Sequence, residues 1–146
     1  MPLSPKELTR AQFSRVASKY RCSADHTDLE DLDLLFTGLA LDPGHRVLDV
    51  ATGTAGVAIA LARTTKATIT GVDLSESMLA GGRQRVAAQG FESRIQLRQA
   101  RAEALPFERS QFDALSFTYL LRYVGDPQAT LNELARVVRP GGAIAS

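Results

Sequence analysis

The residues best suited to chemistry lie in two short runs, Val47-Leu48-Asp49-Val50-Ala51-Thr52-Gly53-Thr54-Ala55-Gly56 and Gly71-Val72-Asp73-Leu74-Ser75. The first is an apolar stretch that empties into a turn of small residues and then a helical pattern. Gly53 can take backbone angles that other residues avoid, and it leaves space for a ligand against the main chain. Thr52 and Thr54 add hydroxyls beside it. The second run is another apolar stretch with an acid at its carboxyl end, and Asp73 follows Asp49 by 24 residues. At that place in an α/β sheet an acid accepts hydrogen bonds from a ribose diol. The pair of runs therefore points to an adenosine-containing cofactor.

Each residue also has a plainer use. Gly53 alone need only make a tight strand-to-helix turn, and Asp73 can cap the helix that follows it. Ser75 is the better cap, because Met78 and Leu79 follow as apolar helix positions, and this leaves Asp73 for the ribose. Leu74 and Met78 can flank an adenine, with a core role equally open to Met78. The full G-x-G-x-x-G fingerprint is absent, since Ala51 stands where its first glycine would fall. A pyrophosphate needs close backbone approach and a cradle of N–H groups. S-adenosylmethionine carries no phosphate and tolerates a looser turn, with Thr52 and Thr54 available to its amino or carboxylate group. The residues favour that cofactor, and hence methyl transfer, over a nicotinamide cofactor and hydride transfer.

The elements that must position these residues follow from the pattern of apolar residues and breakers. Ser4-Pro5-Lys6-Glu7 reads as a capped helix start, with the helix ending near Tyr20, and Thr27-Asp28-Leu29-Glu30 repeats the signal. Asp42-Pro43-Gly44 is a turn. Strands are expected at 46–50, 67–72, 94–98 and 112–117, with helices at 55–63, 75–89 and 127–138. Arg139-Pro140-Gly141-Gly142 should close the last helix, and a fifth strand should begin at Ala143. Strands alternating with helices imply a parallel sheet with right-handed crossovers, a Rossmann-like α/β fold. Ligands of such sheets lie beyond the carboxyl ends of the strands. Four segments should meet there: 51–56, 73–74, 100–103 and 118–122.

The totals exclude other classes. The chain has 146 residues, 17 basic against 16 acidic, for a net charge of +1, which gives no electrostatic case for nucleic acid or an anionic membrane. Hydrophobic residues make up 45%, enough for one packed core. Cys22 is alone, so neither a disulfide framework nor a cysteine metal site is expected. No apolar run reaches a membrane-spanning length, and the polar start lacks a signal-peptide core. A soluble, cytoplasmic protein is expected.

Several stretches resemble a known family. They are Val47 to Thr54, Val72-Asp73-Leu74-Ser75-Glu76-Ser77-Met78-Leu79, Ala102-Glu103-Ala104-Leu105-Pro106-Phe107, Phe112-Asp113, and Leu134-Ala135-Arg136-Val137-Val138-Arg139-Pro140-Gly141-Gly142. In order and spacing they resemble the class I S-adenosylmethionine-dependent methyltransferases, most closely the ubiquinone/menaquinone-biosynthesis C-methyltransferase branch. The resemblance covers roughly residues 44–146. It implies a cofactor site built from Ala51, Thr52, Gly53, Thr54, Asp73, Leu74, Met78, Arg101, Ala102, Glu103 and Thr118. Thr54 would meet the methionine part, Asp73 the ribose, Arg101 and Ala102 the adenine edge, and Thr118 the region beside the sulfonium. It also implies a helical lid over residues 1–42 on a core of 43–146, with Tyr20, Ser23 and His26 near cofactor or substrate. Tyr119, Arg122 and Tyr123 fall where contacts to a small-molecule methyl acceptor are expected.

The chain departs from the family pattern twice. Relatives carry Asp or Asn where this chain has Arg101, and Arg cannot accept from the adenine amino group. The side chain can turn to solvent and leave the adenine to the backbone. The family sheet has seven strands, whereas the 146 residues end inside the fifth. The expectation is a core lacking its last strands, with 112–117 left as a nearly open apolar edge that drives self-association. A non-catalytic S-adenosylmethionine-binding or interaction protein is the alternative that these departures raise.

Overall fold

In the computed structural model, the described residues are Leu41, 43–117 and 124–145. The expected lid, with Tyr20, Ser23 and His26, lies outside them apart from Leu41. So do Thr118, Tyr119, Arg122 and Tyr123.

Five strands form one parallel sheet: β1 (Arg46–Val50), β2 (Thr68–Asp73), β3 (Ile95–Gln99), β4 (Phe112–Phe117) and β5 (Val138–Ala145). Their order is β3-β2-β1-β4-β5. The helices are α1 (Gly56–Thr64), α2 (Glu76–Ala88) and α3 (Pro127–Val137). The central strands are apolar on both faces because helices cover both. Val47, Ile69 and Ala114 point into one core with Ala58, Ile59 and Leu61 of α1 and Val86 of α2. Leu48, Val50, Val72 and Leu115 point into the other with Leu134 and Val137 of α3. The Rossmann-like α/β class expected from the sequence is the one observed. The connections from β1 run one way to β2 and β3, while β4 returns to its other side. The strand order thus reverses between β1 and β4, which opens the carboxyl ends there to a ligand.

Two expectations are corrected. The fifth strand begins at Val138, not Ala143, so that α3 runs straight into it. Arg139-Pro140-Gly141-Gly142 is a bulge within the strand, with a register shift between Phe112 and Ala114 of β4. Gly141 takes φ 79, and a Cβ on Gly142 would stand 2.6 Å from the Asp113 carbonyl oxygen, so only glycine fits so close to β4. In consequence β4 is not an open edge. It pairs with β5 through Phe112–Val138, Ala114–Ala143, Leu115–Ile144 and Ser116–Ala145. The sheet edges among the described residues are β3 and β5.

Candidate cofactor site

The turn after β1 is built from alternating left-handed residues. Ala51, Gly53 and Ala55 have φ 59, 59 and 68. For an alanine that conformation costs about 1–2 kcal/mol, so the surroundings must hold it. They do so at several points. Thr52 N–H donates to the Val72 carbonyl (2.9 Å) and Ala55 N–H to the Thr52 carbonyl (2.9 Å). Gly53 N–H donates to Asp73 Oδ2 at 2.9 Å. Arg85 of α2 reaches back to Thr54, donating to its carbonyl (3.1 Å) and its hydroxyl (2.9 Å).

Glycines on the neighbouring elements make this packing possible. Gly71 of β2 lies opposite Asp49, and a Cβ there would sit 2.7 Å from Thr52 Oγ1 and 2.8 Å from Leu97 Cδ2. Gly82 of α2 lets the helix lie against the turn, since its Cβ would stand 3.2 Å from the Thr54 carbonyl carbon.

The two threonines are both engaged by the protein. Thr52 is buried and its hydroxyl donates to Asp49 Oδ2 at 2.8 Å, while the Thr54 hydroxyl accepts from Arg85. The space beside the turn is therefore bordered by backbone more than by hydroxyls.

Asp49 is the functional group that the sequence reading passed over. It stands in the middle of the sheet, buried, with Oδ1 accepting from Ser116 Oγ of β4 (2.8 Å) and Oδ2 from Thr52. Burial pushes its carboxyl up to about 6, and the two hydroxyl bonds and nearby Asp73 act as smaller influences. The signal was present in Val47-Leu48-Asp49-Val50, an acid inside an otherwise apolar strand. An acid in such a place must be bonded internally or serve a ligand.

Asp73 ends β2 with both carboxylate oxygens oriented. Oδ2 accepts from Gly53 N–H and Oδ1 from Ser75 N–H, each at 2.9 Å. A carboxylate has about four acceptor sites, so two remain. Ser75, not Asp73, caps α2, with its hydroxyl accepting from Met78 N–H at 3.2 Å. Leu74 and Met78 are the large apolar side chains left exposed among the described residues, at 60% and 44%. Both flank Asp73, and Met78 Cε lies 3.4 Å from where a Cβ on Gly53 would be.

The connection after β3 completes the site. Ala100 N–H donates to the Asp73 carbonyl at 3.1 Å, which brings this segment beside β2. Ala102 is buried. The Arg101 side chain is 72% exposed and meets Glu103 at 3.3 Å, so it has taken the solvent-facing option. The structure thus gathers Ala51, Thr52, Gly53, Thr54, Asp73, Leu74, Met78, Arg101, Ala102 and Glu103 along the carboxyl ends of β1, β2 and β3.

The sequence model of the ubiE/COQ5 methyltransferase family matches residues 10–146. This chain belongs to that family. A C-methyltransferase of ubiquinone/menaquinone biosynthesis from Geobacter sulfurreducens is 46% identical over 101 residues, 68% of this chain and 40% of that protein. One of the same description from Cereibacter sphaeroides is 39% identical over 142 residues, 94% of this chain and 57% of its own length. The chain thus spans about half the length of the curated relatives it matches. A geranyl diphosphate methyltransferase solved with S-adenosylmethionine superposes with a TM-score of 0.72 at 20% identity, covering 88% of this chain and 56% of that one. At that identity the likeness shows the fold. Family membership lends no support to the nicotinamide reading. No helix among the described residues is long and apolar enough to cross a membrane.

Proposed function

We propose that this chain binds S-adenosylmethionine at the carboxyl ends of β1 and β2 and serves methyl transfer to a small-molecule acceptor. The observation that carries this reading is Asp73. Its carboxylate is fixed by the Gly53 and Ser75 N–H groups, keeps acceptor sites for a ribose diol, and is flanked by exposed Leu74 and Met78. Those two side chains suit the faces of an adenine. The residues also fit the cofactor's charge. Two carboxylates, Asp49 and Asp73, lie near one another at the turn, and a ligand bearing a sulfonium and an ammonium suits that field.

The bound cofactor supplies a methyl group already activated by its sulfonium. The chain's own residues supply position and exclude water. Gly53 lets the main chain approach, Asp73 orients the ribose, and the segment around Ala102 borders the adenine. Thr118 would stand beside the sulfonium, and Tyr119, Arg122 and Tyr123 would face the acceptor. The Geobacter relative is named for ubiquinone/menaquinone biosynthesis, and on that likeness the acceptor is a quinone precursor methylated at carbon. A near-neutral charge balance fits such an acceptor better than a nucleic acid, and a lone cysteine fits the cytoplasm.

Calorimetric titration with S-adenosylhomocysteine tests the cofactor reading. Wild type should bind in the micromolar range. Asp73→Ala should lose about 2 kcal/mol, or roughly thirtyfold in affinity, because it removes charge-assisted hydrogen bonds. Folded wild type that ignores the ligand would refute the reading.

A further inference from the structure

The segment joining β3 to β4 runs beside the carboxyl end of β2, where Ala100 N–H meets the Asp73 carbonyl, and on the cofactor reading it borders the adenine. Ala102 and Leu105 are its buried anchors, and Phe107 meets Phe112 edge-on with ring centroids 5.0 Å apart. The backbone turns at Arg101–Ala104, with Ala104 N–H donating to the Arg101 carbonyl at 3.2 Å, and bends again at Pro106 and Phe107. Such a bend exposes polar main-chain groups that need partners.

Two side chains of α3 supply them. Glu133 Oε2 accepts from Leu105 N–H at 2.7 Å. Arg136 donates through Nη2 to the Leu105 carbonyl (3.1 Å) and through Nη1 to the Phe107 carbonyl (2.9 Å). The two are locked together, Arg136 donating from Nε to Glu133 Oε1 (2.6 Å) and from Nη2 to Oε2 (3.1 Å). The Arg136 carbonyl also accepts from Ser110 N–H at 2.9 Å. Glu133 and Arg136 are only 17% and 27% exposed, so this pair is far less screened than a surface ion pair. A planar guanidinium held by a carboxylate is a rigid fork, and here it grips two carbonyls of one bend.

Arg101 gives this grip a consequence. Its guanidinium is donor-only and turned to Glu103 and solvent, so it cannot accept from an adenine amino group. With the Glu103 carboxylate engaged by Arg101, the groups left to distinguish adenine from another purine are main-chain N–H and C=O groups around Ala102, three residues from the gripped Leu105.

We propose that the Glu133–Arg136 pair acts as a specificity-setting clamp, which selects adenine by fixing the backbone of residues 100–107 from the far side. Both are positioning residues, which act through the backbone groups of Leu105 and Phe107 that they hold. The proposal rests on the cofactor reading above, and its test separates the two.

The test compares S-adenosylhomocysteine with S-inosylhomocysteine, in which the adenine amino group is replaced by oxygen and N1 becomes a donor. Wild type, Arg136→Lys and Glu133→Gln are titrated with both by calorimetry. Wild type should prefer the adenosyl ligand by at least about tenfold, the worth of one or two hydrogen bonds. Arg136→Lys keeps the charge but not the fork, and should cut that preference about fivefold or more, mainly by weakening the adenosyl ligand. Glu133→Gln keeps an acceptor of the same size and should give a smaller loss in the same direction. Hydrogen exchange of the ligand-free proteins should show faster exchange at Leu105 and its neighbours in both variants, with β1 and β2 amides unchanged. A merely structural pair would lower the melting temperature and weaken both ligands alike. An unchanged preference ratio in a variant that still binds would therefore overturn the clamp. Wild type binding neither ligand would overturn the cofactor reading, and the clamp with it.

Discussion

Replacing Asp49 by Asn should make the protein more stable at neutral pH and less able to hold its cofactor. Asp49 is buried and bonded to two hydroxyls, and its carboxyl titrates near 6 instead of 3.8. A folded value above the unfolded one means that the folded protein holds this proton more tightly. The group therefore costs nothing below the unfolded value. Its cost grows as the pH rises through the window from 3.8 to about 6, and is constant above it. At about 1.4 kcal/mol per unit, that cost reaches roughly 3 kcal/mol. Asn carries no charge at any pH, so the variant escapes it. The amide, like the protonated carboxyl, accepts from one hydroxyl and donates to the other, so the variant gives up little where Asp49 is protonated. The variant should match wild type to within about 1 kcal/mol near pH 4 and be more stable by roughly 3 kcal/mol at pH 7.5. Asp113 and Glu133, whose carboxyls are held below their ordinary range by bonds to backbone N–H and arginine, lose their stabilisation as the pH falls. They do so in both proteins and cancel in the difference. Urea unfolding at four pH values and fixed ionic strength measures that difference. A difference that stays constant from pH 4 to 7.5 would refute the argument. Titration with S-adenosylmethionine should show the opposite trend, weaker binding by the more stable variant, because the cofactor is a cation and Asn has lost the charge that attracts it.

Other perturbations address the packing of the turn and the apolar flank. Gly71→Ala places a methyl group 2.7 Å from Thr52 Oγ1, which is buried and held by Asp49, and 2.8 Å from Leu97 Cδ2, which is partly exposed on the edge strand and can give way. It should destabilise by about 1–3 kcal/mol and displace Thr52 from Asp49. A melting temperature within a degree of wild type would show that the site is looser than the distances imply. Leu74→Ser and Met78→Ser remove side chains that are 60% and 44% exposed, so stability should change by no more than about 0.5 kcal/mol. Each should weaken S-adenosylhomocysteine several-fold, and unchanged affinity in both would remove them from the adenine site.

What the sequence made legible, and what it concealed, follow from the range of the forces involved. The expected strands at 46–50 and 112–117 match β1 and β4 because an unbroken apolar run is a property of the run itself. Ser75 as the cap of α2 was legible for the same reason, since a hydroxyl three residues before a helical N–H is a local arrangement. Asp73 was legible because its place at the end of a strand fixes its surroundings. The fifth strand was misplaced because Pro140-Gly141-Gly142 is a stop signal locally and a bulge in context. What decides between the two is the Asp113 carbonyl of another strand, which leaves no space for a Cβ on Gly142. Thr52 and Thr54 present the same difficulty. Their position in the turn is local, but the direction of each hydroxyl is set by Asp49 and by Arg85, the latter 31 residues away. Asp49 joins the two cases. An acid within Val47-Leu48-Asp49-Val50 announces a bonded or ligand-directed carboxylate, whereas its bond to Ser116 spans 67 residues and requires the sheet order. The turn is therefore held mainly by contacts that form only when β1, β2, β4 and α2 have assembled. Its two left-handed alanines gain from this, because a conformation unfavourable for the isolated residue is sustained by the whole sheet. On the proposed cofactor reading, the same dependence should make affinity sensitive to Gly71 and Arg85, which act through the turn.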